Sequence, residues 1–174
     1  MSLDPAQSNQ YRDTGVLIVG LIASLLAAAL VLEFAFAMEP CPLCLTQRLF
    51  FMLAGVIALA GTCTLKPGKL FPLATALTSL IGIGFALRQL YLYLLPPDQI
   101  PACSAPISRL IEFAPFMELL TAMTMGTGNC AEASFPLFGM NLPGYMIPLG
   151  SLIGFAAVLV LVARQFRVLG QLKK

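Results

Sequence analysis

Two cysteines two residues apart, with an arginine one helical turn further on, lie in the stretch EPCPLCLTQR (Glu39–Arg48). A disulfide in a C-x-x-C closes so few residues that it adds little stability by constraining the unfolded chain, which suits it to reversible exchange. Pro42 is favoured in the first turn of a helix, and the free amides of a helix N-terminus favour a thiolate. With a helix starting near Pro42, Cys44 and Arg48 share a face. The cation is then placed to hold a negative sulfur, or an oxygen that is acquiring charge. Competing readings stay open for these residues alone: a static disulfide or a four-cysteine zinc site for the dithiol, and snorkelling to a membrane interface for Arg48.

The elements that must position these residues are membrane helices. Of the 174 residues, 59% are apolar and only 10% charged, and the mean hydropathy is +0.89. So few charges cannot cover the surface of a soluble domain. The formal net charge of +2 includes no basic patch that would favour nucleic acid, and there are 0 histidines, which removes the commonest general base and metal ligand. Four apolar runs, Val16–Ala37, Leu45–Cys63, Leu70–Leu95 and Met146–Val168, are each long enough to cross a hydrocarbon core of roughly 30 Å. The fold class expected is an all-α, four-transmembrane-helix bundle forming one integral membrane domain over residues 1–174. The polar start, MSLDPAQSNQYRDTG, reads as the lead-in to a retained anchor helix rather than a signal peptide.

The connections are punctuated by TLKPGK (Thr64–Lys69), LPPD (Leu95–Asp98) and NLPGY (Asn141–Tyr145), where proline and glycine stop or start helices. Arg12, Lys66, Lys69, Arg164, Arg167, Lys173 and Lys174 fall on one side of the four spans; outside the helices, the other side has Arg109 with Glu39, Asp98, Glu112, Glu118 and Glu132. That bias places both termini in the cytoplasm of a bacterium, with a short first loop at Met38–Cys44 and a long second loop at Pro96–Tyr145 in the periplasm. Within the long loop, ISRLIEFAPFMELLTAM (Ile107–Met123) has a broad apolar side interrupted by Pro115. It is expected to form two short segments or a kinked amphipathic helix, lying on the bilayer surface or covering the bundle.

The topology sorts the cysteines. Cys41, Cys44, Cys103 and Cys130 face the oxidising side, while Cys63 reads as a small buried hydrophobe near the cytoplasmic end of its helix. Four thiols allow three pairings, which spacing alone leaves open. Proximity favours Cys41–Cys44, which leaves Cys103–Cys130 across the loop. Arg88 and Gln89 lie within the third span about two turns before LPPD. An arginine at that depth needs a partner, and Glu33 of the first span is the candidate, either as a structural ion pair or beside a polar-headed ligand held between helices.

The chain resembles the bacterial disulfide bond formation protein B (DsbB) family. The resemblance lies in EPCPLCLTQR, in RQLYLYLLPPD at the end of the third span, in Ala102-Cys103, and in GNCAEASFPLFGMNLPGY before the fourth span. It implies a quinone-dependent thiol oxidoreductase of the bacterial inner membrane. Such a protein takes electrons from a periplasmic DsbA-type thiol oxidase and passes them to ubiquinone or menaquinone in the membrane pool. By resemblance, Cys41–Cys44 is the quinone-proximal pair, and Cys103–Cys130 is the loop pair that exchanges with the partner at Cys103. Cys44 and Arg48 then meet the quinone, with Gln47 and Arg88 as neighbours of that site. The tryptophans common in the family after CAE and near the end of the third span are absent here, and Phe135 and Tyr91 stand in those neighbourhoods. Two other readings remain: a vitamin K epoxide reductase-like oxidoreductase, which places its quinone-proximal dithiol at a later helix, and a non-enzymatic membrane scaffold held by static disulfides.

Overall fold

The structure, a computed structural model, describes residues 5–35, 40–64, 68–103, 109, 112, 114–132, 135–137, 140–142 and 144–170. Four long helices run antiparallel: α1 (Pro5–Ala35), α2 (Pro42–Cys63), α3 (Leu70–Leu94) and α6 (Met146–Gly170). All four are long and apolar enough to cross a membrane. The helices form a ring in which α1 packs on α2, α2 on α3, α3 on α6, and α6 on α1. One end holds the start of α2 and the end of α3; the other holds the start of α1 and the end of α6.

The bundle is the expected one, and its first helix begins earlier than expected. At 31 residues and 1.5 Å per residue, α1 is about 46 Å long, well beyond a hydrocarbon core of roughly 30 Å. Its first turns are held by the end of α6 rather than by lipid. Tyr11 is buried against Val168 and Leu169, and Gln165 Nε2 donates to the Tyr11 carbonyl at 3.4 Å. Polar composition hid this extension, because tertiary packing outweighs local hydropathy there. Residues 36–37 of the expected first span lie outside the described residues, as do Glu39, Lys66, Lys173 and Lys174.

The core is apolar and closely packed. Ile18 and Ile22 of α1 meet Phe51, Ala54 and Ala58 of α2 and Phe155, Val158 and Val162 of α6. The rings of Phe51 and Phe155 stack with centroids 3.7 Å apart. On α3, Thr75, Thr78 and Ser79 face inward and return their hydroxyls to carbonyls of their own helix at 2.8–2.9 Å, so no donor is stranded in the low-dielectric interior. Leu53, Val56, Leu73, Leu77, Ile153 and Val160 point outward, as a lipid-facing surface requires. Cys63 corrects an expectation: it is exposed, not buried, because the last turn of α2 turns it away from the neighbouring helices.

At the dithiol end the long loop is ordered by short elements. A 3-10 turn at Pro97–Gln99 follows α3. Helix α4 (Phe116–Met125) starts directly after Pro115, which sits at its N-cap; most of the residues from 104 to 113 lie outside the described set. Then come the single turn α5 (Asn129–Glu132) and a hairpin of β1 (Phe135–Leu137) and β2 (Met140–Leu142). The strands are antiparallel, with Phe135 opposite Leu142. The hairpin takes up part of the NLPGY stretch, which had been expected to be only the lead-in to the fourth helix.

Helix α4 covers the end of α2 and keeps an apolar face outward. Ala122 is buried, whereas Phe116, Met117 and Leu120 are exposed. Two bonds fasten its C-terminal carbonyls to the bundle. Thr46 of α2 donates to the Met123 carbonyl at 2.8 Å, and Arg88 Nε of α3 donates to the Met125 carbonyl at 3.2 Å. The chain then turns at Gly126, where φ is +80°. A side chain there would be strained in backbone and would collide with Leu43 and Leu92.

Arg88 therefore anchors the loop. Replacing it with alanine removes one hydrogen bond to a charged donor, worth about 1 kcal/mol at a part-exposed site. Amide hydrogen exchange over α4 and Gly126–Cys130 should accelerate roughly fivefold, with α1 and α6 unchanged. Unaltered protection of α4 would remove the anchoring role.

Candidate functional site

The site forms where α2 begins. Cys41 sits at the N-cap in extended conformation, and its sulfur accepts the Cys44 amide at 3.3 Å. Pro42 follows in the first turn, where its missing N–H costs nothing. Expectation and structure agree here: the helix begins at Pro42, so Cys44 and Arg48 lie one turn apart on one face. All five cysteines are unbridged.

Turning at Gly126, the loop brings Cys130 onto this helix end. Cys130 is fully buried and packs with Cys41, Leu43 and Leu92. The Cys41 thiol hydrogen-bonds to Cys130, and the Leu43 and Thr127 amides and the Thr127 hydroxyl are also directed at the Cys130 sulfur. Cys103 is exposed and lies against Gly128, where a Cβ would come within 2.9 Å of its sulfur. The Gly128 amide donates to the Ala102 carbonyl at 3.3 Å, fixing the two segments side by side. The sulfurs thus run from exposed Cys103, past Gly128 to buried Cys130, on to Cys41 and then Cys44.

Hydrogen bonding decides where the charge sits. A helix N-terminus should favour a negative Cys41, yet its proton is held between Cys130 and Cys44 and the group is buried, so its pKa is raised. Cys130 receives that proton's hydrogen bond and is lowered to about 6, with the amides and hydroxyl adding to the effect and burial opposing it. Cys41 is the donor and Cys130 the thiolate.

Cys44 opens on the other side into a cavity of about 260 Å³ between α1, α2 and α6. Its walls include Leu25, Leu26, Leu32, Phe51 and Ile147; Glu33, Gln47, Arg48 and Ser151 supply its polar groups beside Cys41 and Cys44. Arg48 pairs with Glu33 and also donates to the Ala29 carbonyl at 3.2 Å. Glu33 was expected to pair with Arg88, and the structure corrects this. One face of α2 carries Arg48 toward α1, whereas Arg88 on α3 points to α4 and lies over the Tyr91 ring at 5.6 Å. Arg88 does not line the cavity, unlike Cys44, Gln47 and Arg48. Phe135 lies in β1.

Gln89 is the site residue that the sequence reading did not select. Fully buried on α3, it donates from Nε2 to Cys44 Sγ at 3.3 Å and to Cys41 Sγ at 3.5 Å. Its Oε1 accepts from Gln47 Nε2 at 2.7 Å. A signal was present: Thr75, Ser79, Gly82, Ala86 and Gln89 recur at three- and four-residue spacing, marking the inward face of α3.

The Cys130 assignment has a definite pH signature. Thiolate absorbance of the reduced protein should contain one sulfur titrating near pH 6. In Cys41→Ala, which lacks the thiol donor, that midpoint should rise toward the usual 9.0. The folded value lies below the unfolded one, so ionisation adds to stability. That contribution is full above about pH 9, shrinks as the pH falls, and is gone below about pH 6. A midpoint that Cys41→Ala leaves in place would disprove the sulfur–sulfur hydrogen bond.

Comparisons with known proteins place the chain in a family. The profile of the family described as Disulfide bond formation protein DsbB matches residues 11–163. The Disulfide bond formation protein B of Hahella chejuensis is 40% identical over 140 residues, covering 79% of this chain and 84% of that protein. The protein of the same name from Marinobacter nauticus is 35% identical over 145 residues, covering 82% and 86%. Disulfide bond formation protein B 1 of Pseudomonas aeruginosa is 34% identical over 146 residues, again covering 82% and 86%. No solved structure gives a significant match. The chain, a multi-pass membrane protein with a dithiol at one end of its bundle, belongs to the DsbB family of disulfide bond formation proteins.

Proposed function

We propose that this protein is a quinone-dependent thiol oxidoreductase that reoxidises a DsbA-type dithiol oxidase at the periplasmic face of the bacterial inner membrane. The observation that carries the reading is the line of four sulfurs, exposed at Cys103 and ending at Cys44 on the lip of an apolar cavity. A static scaffold has no need of a thiolate buried against a second dithiol.

In the oxidised protein the pairs are Cys103–Cys130 and Cys41–Cys44. A partner thiolate attacks Cys103 Sγ; a partner–Cys103 bond forms, the Cys103–Cys130 bond breaks, and its electron pair leaves on Cys130. The Leu43 and Thr127 amides and the Thr127 hydroxyl, whose hydrogens are directed at the Cys130 sulfur and do not depend on a Cys41 thiol, support the charge it gains as leaving group. Cys130 then attacks the adjacent Cys41, forming Cys130–Cys41 and releasing Cys44 as thiolate. The partner's second thiol resolves the mixed disulfide, so the partner leaves oxidised and Cys103 is freed. Cys103 attacks Cys130, restoring the loop pair, and both electrons remain on Cys41 and Cys44.

The cavity beside Cys44 fits a quinone head. Its walls are apolar, its volume of about 260 Å³ suits one substituted ring, and its polar rim holds the Arg48–Glu33 pair. Cys44, Gln47 and Arg48 would hold that head, with the Arg48 guanidinium next to an oxygen that gains negative charge. Ubiquinone or menaquinone bound there would accept two electrons and two protons, leaving Cys41–Cys44 as a disulfide.

Purified protein, a reduced DsbA-type partner and either quinone test the reading directly. Quinone reduction should follow partner oxidation one for one. Cys44→Ser should abolish it while leaving Cys103 able to form the mixed disulfide. Arg48→Ala should slow it roughly a hundredfold, with a smaller effect on thermal unfolding. Full turnover in Cys44→Ser would overturn the proposal.

A further inference from the structure

We propose that Gln89 is a positioning residue of the dithiol. Its carboxamide donates one hydrogen to each sulfur of the Cys41–Cys44 pair and favours the open, charged form of that pair over the disulfide. The inference rests on the exchange reading above and adds a residue to it.

A primary amide has two donors and an acceptor, and all are in use here. Oε1 accepts from Gln47, which leaves both hydrogens of Nε2 for Cys44 and Cys41. Gln47 and Gln89 are both buried, so water cannot substitute for a missing acceptor. The amide pair is therefore oriented from one side: Gln47 pins the oxygen, and the NH₂ is turned to the sulfurs.

This orientation treats the two redox states unequally. A disulfide sulfur is a weak acceptor without charge, and against it the two buried donors are poorly satisfied. When Cys130 bonds to Cys41 and the electron pair leaves on Cys44, the same amide meets a thiolate and gains a charge-assisted hydrogen bond. Opening the ring is favoured, and the electron pair is held on the sulfur that faces the cavity. Neither cation near the site does this: Arg48 is engaged with Glu33 and Arg88 with the end of α4.

The test needs neither partner nor quinone, so it stands or falls apart from the proposed function. The full chain carrying Cys103→Ser and Cys130→Ser is equilibrated with glutathione buffers, and the Cys41–Cys44 couple is read by alkylation. Gln89→Leu should make the pair about tenfold harder to reduce, a shift of about 30 mV toward more negative potential. It should also slow alkylation of Cys44 about tenfold at pH 7 and move the pH profile of that reaction upward. Gln89→Glu, similar in shape but without the amide donors, should show at least the same loss.

Gln47→Glu keeps Gln89 in place and offers its NH₂ a carboxylate, turning the donors off the sulfurs, and should reproduce the loss. A folded Gln89→Leu protein with wild-type potential and alkylation profile would overturn the assignment. If that variant does not fold, wild-type values in Gln47→Glu would do so. A protein that shows these shifts but reduces no quinone would keep the Gln89 assignment and sink the quinone reading.

Discussion

The amides at the start of α2 must find acceptors at the edge of an apolar bundle, where an unsatisfied N–H is costly. They find sulfurs. Cys44 N–H is taken by Cys41 and Leu43 N–H by Cys130. Helix capping and redox chemistry are thus one interaction, and the rest of the dithiol end serves it. The loop has to fold back to deliver Cys130, so α4 is fastened by Thr46 and Arg88, and Gly126 takes a backbone conformation that other residues avoid. Docking of the loop and the ionisation of its cysteine are linked for the same reason.

Charges in this apolar chain are used sparingly, and each has a different task. Arg48 and Glu33 satisfy one another across α1 and α2 and keep a charged rim on a cavity lined mostly by apolar side chains. Breaking such a pair by removing one member leaves an uncompensated charge at low dielectric. Arg88, at the same end of the bundle, is part-exposed and spends its hydrogen bond on a backbone carbonyl. Two arginines at one end of the bundle therefore differ in role because they project from different helices.

Most of the architecture was legible in the sequence because a membrane helix announces itself by length and hydropathy. Four spans, the break at LPPD and a helix start at Pro42 all follow from local rules. Contacts between distant segments did not. Glu33 was assigned to the wrong arginine because matching depth in the bundle says nothing about azimuth around it. The early start of α1 depended on Tyr11 packing against the far end of the chain. The β1–β2 hairpin is too short to show a clear alternation. Gln89 was noticed beside Arg88, but a neutral amide in a helix draws attention only once its inward face is counted. The contact of Cys130 with Cys41 bridges 89 positions of sequence, beyond the reach of any spacing argument.

Burial along the sulfur line has a further consequence. Cys103 alone of the four is exposed, Cys130 and Cys41 are buried, and Cys44 is half-buried on the wall of the apolar cavity. A small thiol in bulk water meets Cys103 first, whereas Cys41 and Cys44 line the apolar cavity at the other end of the row. The buried middle of the row thus keeps its watery end apart from its apolar end, much as a sheath separates the terminals of a wire.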